Sequence, residues 1–387
     1  MHSQRLGNVS IYGSLNTLEE KVRTMSKRTY CGFAKNCVAR TSTTFRVFLF
    51  FLVVFGGCHS GSVPVKPQRQ VNLYVWSVYI PDRTLKRFEN ETGIHLNYST
   101  YDSNEALLEK MESGVADYDV IVPSDYMVAI LKRENLLRKL DLRQLPKFKN
   151  ISQRFRNLSY DPANQYSVPF LWSTSGIGYN KTKIPEGVDS WSSLWDNRYK
   201  NRMLMLDDAR EAFGVALKWK GHSYNTTDPD SLMEAQRLLL EQKPLLKAYN
   251  STNFDELLLA GDVWLEHAWS GNVAMVMEQS HDLDFVIPKE GAAMSIENFC
   301  VPAKSPHTEE AYAFINYMLD AKVGGEITNY SYYPNTNEAA KAYVWPKILE
   351  NPAVYQDDAT LARCELARDI GPASQLLDRL WTELKSR

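Results

Sequence analysis

Short β-type runs alternate with helical stretches over residues 71–134, and this alternation constrains the fold more than any other feature of the sequence. The runs at 71–76, 95–100 and 118–123 have the composition of strands. The stretches between them have helical spacing, and Gly93 and Ser103 mark the end of the first helix and the cap of the second. The third run, YDVIVP, is apolar at nearly every position, which is typical of a parallel strand buried on both faces. The pattern therefore predicts an α/β fold with a mostly parallel, doubly wound sheet and right-handed crossovers.

A second region of the same kind begins near residue 179. Strands are predicted at 204–207, 263–269 and 283–288, with helices between them and two more helices towards the end of the chain. No repeat of 20–50 residues is visible. The length of 387 residues suggests two or three domains of typical size, with enough apolar material for a sizeable core.

Residues 1–57 differ from the rest of the chain. Residues 1–46 contain eight Lys or Arg and only two acids, and nine apolar residues follow at 47–55. Nine residues are too few to cross a bilayer, which takes about 20. A basic region followed by a short apolar core is typical of a secretory signal.

The end of this signal, Gly-Gly-Cys, resembles that of bacterial lipoproteins, in which the cysteine becomes the lipidated N-terminus. The resemblance implies that the mature protein begins at Cys58 and is anchored to a membrane through it. Residues 58–70 then form a polar, Pro-containing tether. A second methionine, Met25, is an alternative start, in which case residues 1–24 are not translated.

Removal of residues 1–57 changes the net charge from −2 to −8, because 36 Lys and Arg then face 44 Asp and Glu. An acidic chain argues against nucleic acid as a partner and suits a cationic ligand. Cys300 and Cys364 are the cysteines left in the folded part. Whether they form a disulfide is left open by the sequence.

Aromatic and acidic residues cluster where predicted strands meet the elements that follow. Ligands of open α/β sheets bind beyond the carboxyl ends of the strands, so these clusters are the candidate site. The candidates are Trp76, Ser77, Tyr79, Ser124, Tyr126, Asp208, Glu211, Trp269, Ser295, Glu297 and Tyr333.

Some of these residues have a simpler structural explanation. Asp208 and Glu211 have the spacing of a capping box at a helix start, and either Ser124 or Asp125 is placed to cap the helix after the third strand. The sequence leaves open whether the two acids serve the helix, a ligand or both.

Aromatic rings and carboxylates without a basic group among them specify a cationic ligand. Ring faces attract ammonium groups by about 0.5–2 kcal/mol each, carboxylates accept charge-assisted hydrogen bonds, and ring bodies cover methylene chains. The sequence has no Gly-rich phosphate loop, GxSxG or HExxH motif, and its seven histidines are scattered. It therefore predicts an amine-binding protein rather than an enzyme, with no cofactor and no metal site.

From about residue 71 onward, the chain resembles the bacterial spermidine/putrescine-binding proteins of ABC transporters. The resemblance is carried by YVWSVYIP, YDVIVPSDY, LDDAREAF, NTTDP, IPKEG and the YP-x-TN segment. It implies a two-lobed periplasmic-binding-protein fold that closes on a polyamine in the cleft between the lobes. It further implies lobe 1 over 71–172 and 296–332, and lobe 2 over 173–295 and 333–387.

The same resemblance implies roles and partners. The aromatic candidates would cover the alkyl chain, and Asp208, Glu211 and Glu297 would bind the nitrogens. The protein would be a monomer of the periplasm, anchored by lipid, that delivers a putrescine- or spermidine-like polyamine to an inner-membrane ABC permease.

Three positions depart from the family pattern. An aromatic residue usual in the family is replaced by Ser295, its aspartate by Glu297, and a glutamine of spermidine binders by Ala367. These changes leave the identity of the amine open. Two other functions also stay open: a polyamine-sensing receptor that signals to a membrane partner, and ferric-iron binding through adjacent tyrosines such as Tyr332 and Tyr333.

Overall fold

The computed structural model describes residues 68–77, 79–114 and 117–387. The predicted signal, the lipidation site Cys58 and most of the predicted tether lie outside the described residues. Within the described part, no helix is long and apolar enough to cross a membrane. Cys300 is buried and Cys364 is partly buried. Both are free thiols, so these two cysteines do not form a disulfide.

The described chain contains the predicted strands and helices, together with elements that the sequence analysis did not identify, among them a long strand at 167–180. The strands are β1 (Gln70–Trp76), β2 (His95–Tyr101), β3 (Val120–Ile121), β4 (Ser167–Asn180), β5 (Met203–Met205), β6 (Leu246–Tyr249), β7 (Leu265–Trp269), β8 (Leu283–Val286), β9 (Ala293–Cys300) and β10 (Glu365–Leu366). The α-helices are α1 (Asp82–Thr92), α2 (Asn104–Ser113), α3 (Asp125–Arg133), α4 (Ala209–Trp219), α5 (Pro229–Gln242), α6 (Phe254–Leu259), α7 (Ser270–Met277), α8 (Thr308–Met318), α9 (Ala321–Ser331), α10 (Pro346–Leu349), α11 (Asp358–Leu361) and α12 (Ala373–Ser386).

Local signals set the ends of the first helices. Ser103 precedes α2, and its hydroxyl accepts a hydrogen bond from the amide of Ala106 at 3.1 Å, which satisfies a helix N–H that has no partner within the helix. Gly93 ends α1 with φ of 67°, a left-handed conformation that glycine adopts without a steric penalty. Both boundaries confirm the sequence prediction.

The sheet combines two parallel regions with antiparallel strands between them. Its order is β2-β1-β3-β9-β4-β7-β5-β6, with β10 added to β9 and β8 to β4. β1 pairs in parallel with β2 and β3, and β5 pairs in parallel with β6 and β7. The predicted α/β, two-lobed fold is thus confirmed.

Strand β4 connects the two regions. Its residues 167–174 run antiparallel to β9, and its residues 175–180 run antiparallel to β7 and β8. All fourteen residues of β4 are buried, as expected for a strand with a core on either side.

Two hydrophobic cores lie on the two sides of this connection. The first is built mainly from residues between 71 and 172 and between 294 and 333, and the second mainly from residues between 177 and 292 and between 332 and 384. Trp269 packs against both cores. The candidate residues lie where the two cores meet.

Candidate ligand-binding site

One cavity brings together ten of the eleven candidate residues. Its volume is about 80 Å³, counted as the space open to the centre of a water molecule. The candidates that line it are Trp76, Tyr79, Ser124, Tyr126, Asp208, Glu211, Trp269, Ser295, Glu297 and Tyr333. We call it the inner cavity.

The remaining candidate, Ser77, lines a neighbouring outer cavity of about 380 Å³. The two cavities share the side chains of Trp76, Tyr79, Trp269 and Tyr333 as a common wall. The outer cavity also has acidic residues in its lining, namely Asp102, Asp255 and Glu256.

Glu297 enters the inner cavity from β9 and is nearly completely buried. Its carboxylate accepts hydrogen bonds from the Trp76 indole at 2.8 Å and from the Ser124 hydroxyl at 2.9 Å. Burial raises the pKa of Glu297 to about 7, although these two donors lower it. Because both donors are neutral, they orient the carboxylate without cancelling its charge.

Asn104, at the start of α2, holds Ser124 in place. Its amide nitrogen donates to the Ser124 hydroxyl at 3.0 Å, and its amide oxygen accepts from the Ser124 backbone N–H at 3.3 Å. Asn104 also lines the inner cavity, which sequence reasoning missed. Ser124 occupies the N-cap position of α3, but its side chain forms no capping hydrogen bond there, so the prediction of a side-chain cap at Ser124 is wrong.

Asp208 and Glu211 lie at the N-terminus of α4 and line the inner cavity. The Asp208 carboxylate accepts a hydrogen bond from the Glu211 backbone N–H at 3.0 Å, so Asp208 is the helix cap. It also lines the cavity, so its capping role and its position at the candidate site coexist. Burial, reinforced by the nearby charge of Glu211, raises the pKa of Asp208 to about 7.

Glu211 has partners of its own behind the cavity wall. One carboxylate oxygen lies 3.2 Å from Nε2 of the fully buried His267, and the other accepts from the Trp269 indole at 3.3 Å. Both partners come from β7, so this carboxylate also ties α4 to the sheet.

Aromatic rings form the wall that the inner and outer cavities share. The Tyr79 and Tyr333 rings have centroids 5.2 Å apart, at a tilt of 52°. Gly271, in the first turn of α7, leaves space for the Tyr333 ring, because a Cβ there would lie 2.7 Å from two of its carbons. Such faces suit an alkyl chain that ends in ammonium groups.

The cavity also has a basic group, which corrects the expectation of a site without one. The Arg210 guanidinium carbon lies 5.8 Å from the ring centre of Tyr126 and 5.2 Å from that of Tyr224. Three carboxyl groups still outnumber this one guanidinium in the lining. The site therefore keeps its preference for a cation once the carboxyl groups are ionised.

The other lining residues that sequence reasoning missed come from several elements: Ser173, Tyr224, Ala293 and Met294. Ser173 lies opposite Ser295 in the β4–β9 pair, and the two hydroxyl oxygens are 3.0 Å apart. Ala367, which had been noted as a departure from the family pattern, also lines the cavity.

The two adjacent tyrosines do not form a common metal site. Tyr333 lines the inner cavity, whereas Tyr332 packs in the second core. Within the described ranges, no group of three or more His, Cys, Asp or Glu side chains is placed to hold a metal ion.

Comparison with known proteins agrees with this geometry. Residues 83–362 match the family model of the bacterial extracellular solute-binding proteins. The chain is 35% identical over 315 residues to the spermidine/putrescine-binding periplasmic protein of Salmonella typhimurium, with 81% of this chain and 90% of that protein covered. It is 34% identical over 342 residues to the putrescine/cadaverine-binding protein of Pseudomonas aeruginosa, with 85% and 97% covered.

Among solved structures, the chain is similar to the spermidine/putrescine ABC transporter substrate-binding protein PotD of Streptococcus pneumoniae. The TM-score is 0.73 at 32% identity, with 82% of this chain and 99% of that chain covered. Sequence and fold agree over most of the chain, and the protein thus belongs to the family of bacterial extracellular solute-binding proteins.

Proposed function

We propose that this protein captures a linear polyamine of the putrescine or spermidine type in the periplasm and delivers it to an inner-membrane ABC permease. As a member of a solute-binding family, the protein is not an enzyme. The observation that carries the proposal is Glu297, a buried carboxylate in the cavity whose hydrogen-bond donors, Trp76 and Ser124, are both neutral. The names of the similar proteins agree with a polyamine ligand, a periplasmic location and an ABC transporter.

The cavity suggests how such a ligand would lie. One ammonium group would bind Glu297, and the other would bind Asp208 and Glu211 on the opposite side. The methylene chain would run along Trp76, Tyr79, Trp269 and Tyr333. Ser77, Ser124, Tyr126 and Ser295 complete the proposed set of ligand contacts, with Ser77 on the side of the outer cavity.

The division into lobes remains a proposal in its details. We place lobe 1 at 71–172 and 296–332, and lobe 2 at 173–295 and 333–387. The composition of the two hydrophobic cores supports this division for most of the chain, although Met294 and Tyr333 pack in the first core and Tyr332 in the second. The antiparallel strands β4 and β9 would carry the hinge, so that closure brings the acids of the two sides onto one ligand.

A thermal-shift panel tests the function. The domain from residue 58 onward, with Cys58 replaced to avoid lipidation, is heated with putrescine, cadaverine, agmatine, spermidine and spermine. A ligand at 100 times its Kd should stabilise the folded state by about 2.7 kcal/mol. Failure of all five amines to raise the melting temperature would contradict the proposal.

Anchoring rests on the sequence around Cys58 and needs its own experiment. In a detergent phase separation of bacterial extracts, the native protein should enter the detergent phase, and Cys58→Ala should not. Native protein found in the aqueous phase would show that no lipid anchor is attached. Gel filtration of the soluble domain tests the proposed monomer, which should elute at its own mass with and without ligand.

A further inference from the structure

Tyr224 lines the inner cavity beside Ala293 and Ala367, although nothing in the sequence indicated this position. It lies in the loop after α4, is only 6% exposed, and packs with Ala293 and Ala367. The Arg210 guanidinium carbon lies 5.2 Å from the centre of its ring. A large ring and a fixed cation thus occupy the end of the cavity where Ala367 offers only a methyl group.

The helix beneath Tyr224 is shaped to receive its ring. A Cβ on Gly214, in the middle of α4, would lie 2.1 Å and 2.3 Å from ring carbons Cε2 and Cδ2 of Tyr224. Glycine is unfavourable inside a helix. The close approach of the ring explains why this position has no side chain.

The loop that carries Tyr224 is held in place from both sides of the residue. The Tyr224 backbone N–H donates to the Glu365 carboxylate at 3.2 Å, and Glu365 also binds Lys218 at 2.9 Å. The next residue, Asn225, donates from its side chain to the carbonyl oxygen of Leu366 at 2.9 Å. Because Glu365 and Leu366 both belong to β10, these hydrogen bonds hold the loop with the Tyr224 ring against that strand.

Asn225 fixes the cation as well. Its side-chain oxygen accepts from the Arg210 guanidinium at 3.2 Å and from the backbone N–H of Arg368 at 2.8 Å. The guanidinium therefore stays beside the ring of Tyr224.

We propose that Tyr224, seated on Gly214 and backed by Arg210, closes this end of the cavity and restricts the ligand to a short diamine. The inference rests on the proposed amine-binding function and names the length class of the amine. The inner cavity, at about 80 Å³, is much smaller than the outer cavity of about 380 Å³, and its small size suits a short diamine. An aminopropyl extension towards Ala367 would collide with the ring and bring an ammonium group towards the Arg210 cation.

The test is the ratio of the Kd values for spermidine and putrescine, measured by calorimetry on the soluble domain. The unchanged protein should bind putrescine at least about tenfold more tightly than spermidine. In Tyr224→Ala, the spermidine affinity should rise at least about tenfold, while the putrescine affinity changes less than about threefold. A ratio that stays the same in Tyr224→Ala, or an unchanged protein that prefers spermidine, overturns the proposal.

A second pair of variants tests the seat of the ring. Gly214→Ala forces the ring out of place, so it should lower the melting temperature and change the ratio. In the Tyr224→Ala background, the same substitution should cost no stability, because the ring it would meet is gone. An equal loss of stability in both backgrounds would show that Gly214 does not seat Tyr224.

Tyr249→Ala is the matched control, because Tyr249 is a partly buried tyrosine on β6 that packs on Trp381 and is not in the lining of the inner cavity. This control should lower stability and leave the ratio unchanged.

The proposed function and the proposed role of Tyr224 would fail in different ways. If no amine binds the unchanged protein, the proposed function is wrong. If amines bind and the ratio does not respond to Tyr224→Ala, only the role of Tyr224 is wrong.

Discussion

The two acidic ends of the inner cavity are built differently. At one end, Glu297 receives hydrogen bonds from an indole and a hydroxyl, both neutral. At the other end, Asp208 caps α4, and Glu211 binds the imidazole of His267 and the indole of Trp269. Glu297 is therefore held by neutral donors alone, from β1 and from the residue before α3, whereas the second end also caps a helix and contacts a buried imidazole.

Because of this difference, substitutions at the two ends should distinguish effects on ligand recognition from effects on protein stability. Removal of the charge from a carboxylate held by neutral donors alone should weaken binding and leave the ligand-free fold intact, because an uncharged isostere still accepts a hydrogen bond. Removal of the charge from one that contacts a buried imidazole should affect both binding and stability, since a buried group left without its partner is costly. Substitutions at each end and the pH dependence of binding test this contrast.

Glu297→Gln should cause the largest loss of affinity. The glutamine keeps nearly the same shape and one acceptor oxygen but removes the buried charge opposite the ligand cation. Loss of one partner of a buried charge pair costs about 2–5 kcal/mol, or about 30-fold to several thousandfold in Kd. Calorimetry with putrescine measures this loss, and the melting temperature of the ligand-free variant should stay the same or rise.

Glu266→Gln is the matched control for this substitution. Glu266 lies on β7, is completely buried, and its two carboxylate oxygens have no hydrogen-bond partner within the described residues. Burial raises the pKa of Glu266 well above its usual range. Because it is not in the lining of the inner cavity, the control should bind putrescine with unchanged Kd. Equal losses in both variants would show that Glu297 acts through the fold.

Affinity should also depend on pH near neutrality. The pKa values of Asp208 and Glu297 are both raised to about 7 in the ligand-free protein, mainly by burial. A cationic amine favours their ionised forms, so binding should release protons and strengthen as the pH rises. Between pH 8 and pH 6, the affinity should fall by up to about tenfold for each group, or about a hundredfold for both.

Calorimetry in buffers of different ionisation enthalpy counts the protons released, and Glu297→Gln should release about one fewer at pH 6. The stability of the ligand-free protein should change in the opposite direction. Between about pH 4 and pH 7, the folded state keeps protons that the unfolded state loses, so the free energy of unfolding falls as the pH rises. An affinity that is constant from pH 6 to pH 8 would contradict the assignment of these carboxylates to the ligand.

A third comparison lies within the second acidic end. Asp208→Asn should weaken putrescine binding more than about tenfold with little change in stability, because asparagine caps a helix about as well as aspartate. Glu211→Gln should weaken binding and also lower the melting temperature, because it disturbs the contact with the fully buried His267. If Asp208→Asn lowers stability and leaves the affinity unchanged, its role is confined to the helix.

Sequence reasoning succeeded where local signals determine structure. The Ser103 side chain caps the start of one helix, and the left-handed backbone of Gly93 ends another. Neither effect depends on residues far away in the sequence. Candidate residues from distant parts of the chain meet in one cavity because the ends of the elements that bear them converge between the two cores. Ser295 and Glu297 share one face of β9 through the two-residue period of a strand.

It failed where the position of a residue depends on pairing between elements that are far apart in sequence. Ser173 reaches the cavity because it lies opposite Ser295, and this register is fixed only by the folded sheet. Tyr224 comes from a loop whose position is set by Glu365, 141 residues later in the chain. Arg210 could have been recognised from the sequence as a cavity residue, because it stands between Asp208 and Glu211 at the same helix start.

The smallest effect on putrescine affinity is expected at Ser295, which lies on β9 in the lining of the inner cavity. Its hydroxyl lies 3.0 Å from that of Ser173, so the two serines already have each other as partners. If the ligand places its charges at the two acidic ends, mainly methylene groups lie over these two serines. Ser295→Ala should then change the Kd for putrescine by less than about tenfold, which corresponds to the free energy of one neutral hydrogen bond. Ser173→Ala, measured in the same way, should behave alike because it removes the other half of the pair. A loss as large as that of Glu297→Gln would instead place an ammonium group directly over the serines. The ligand would then not lie between the two acidic ends, and the contrast between them would no longer describe how the protein recognises an amine.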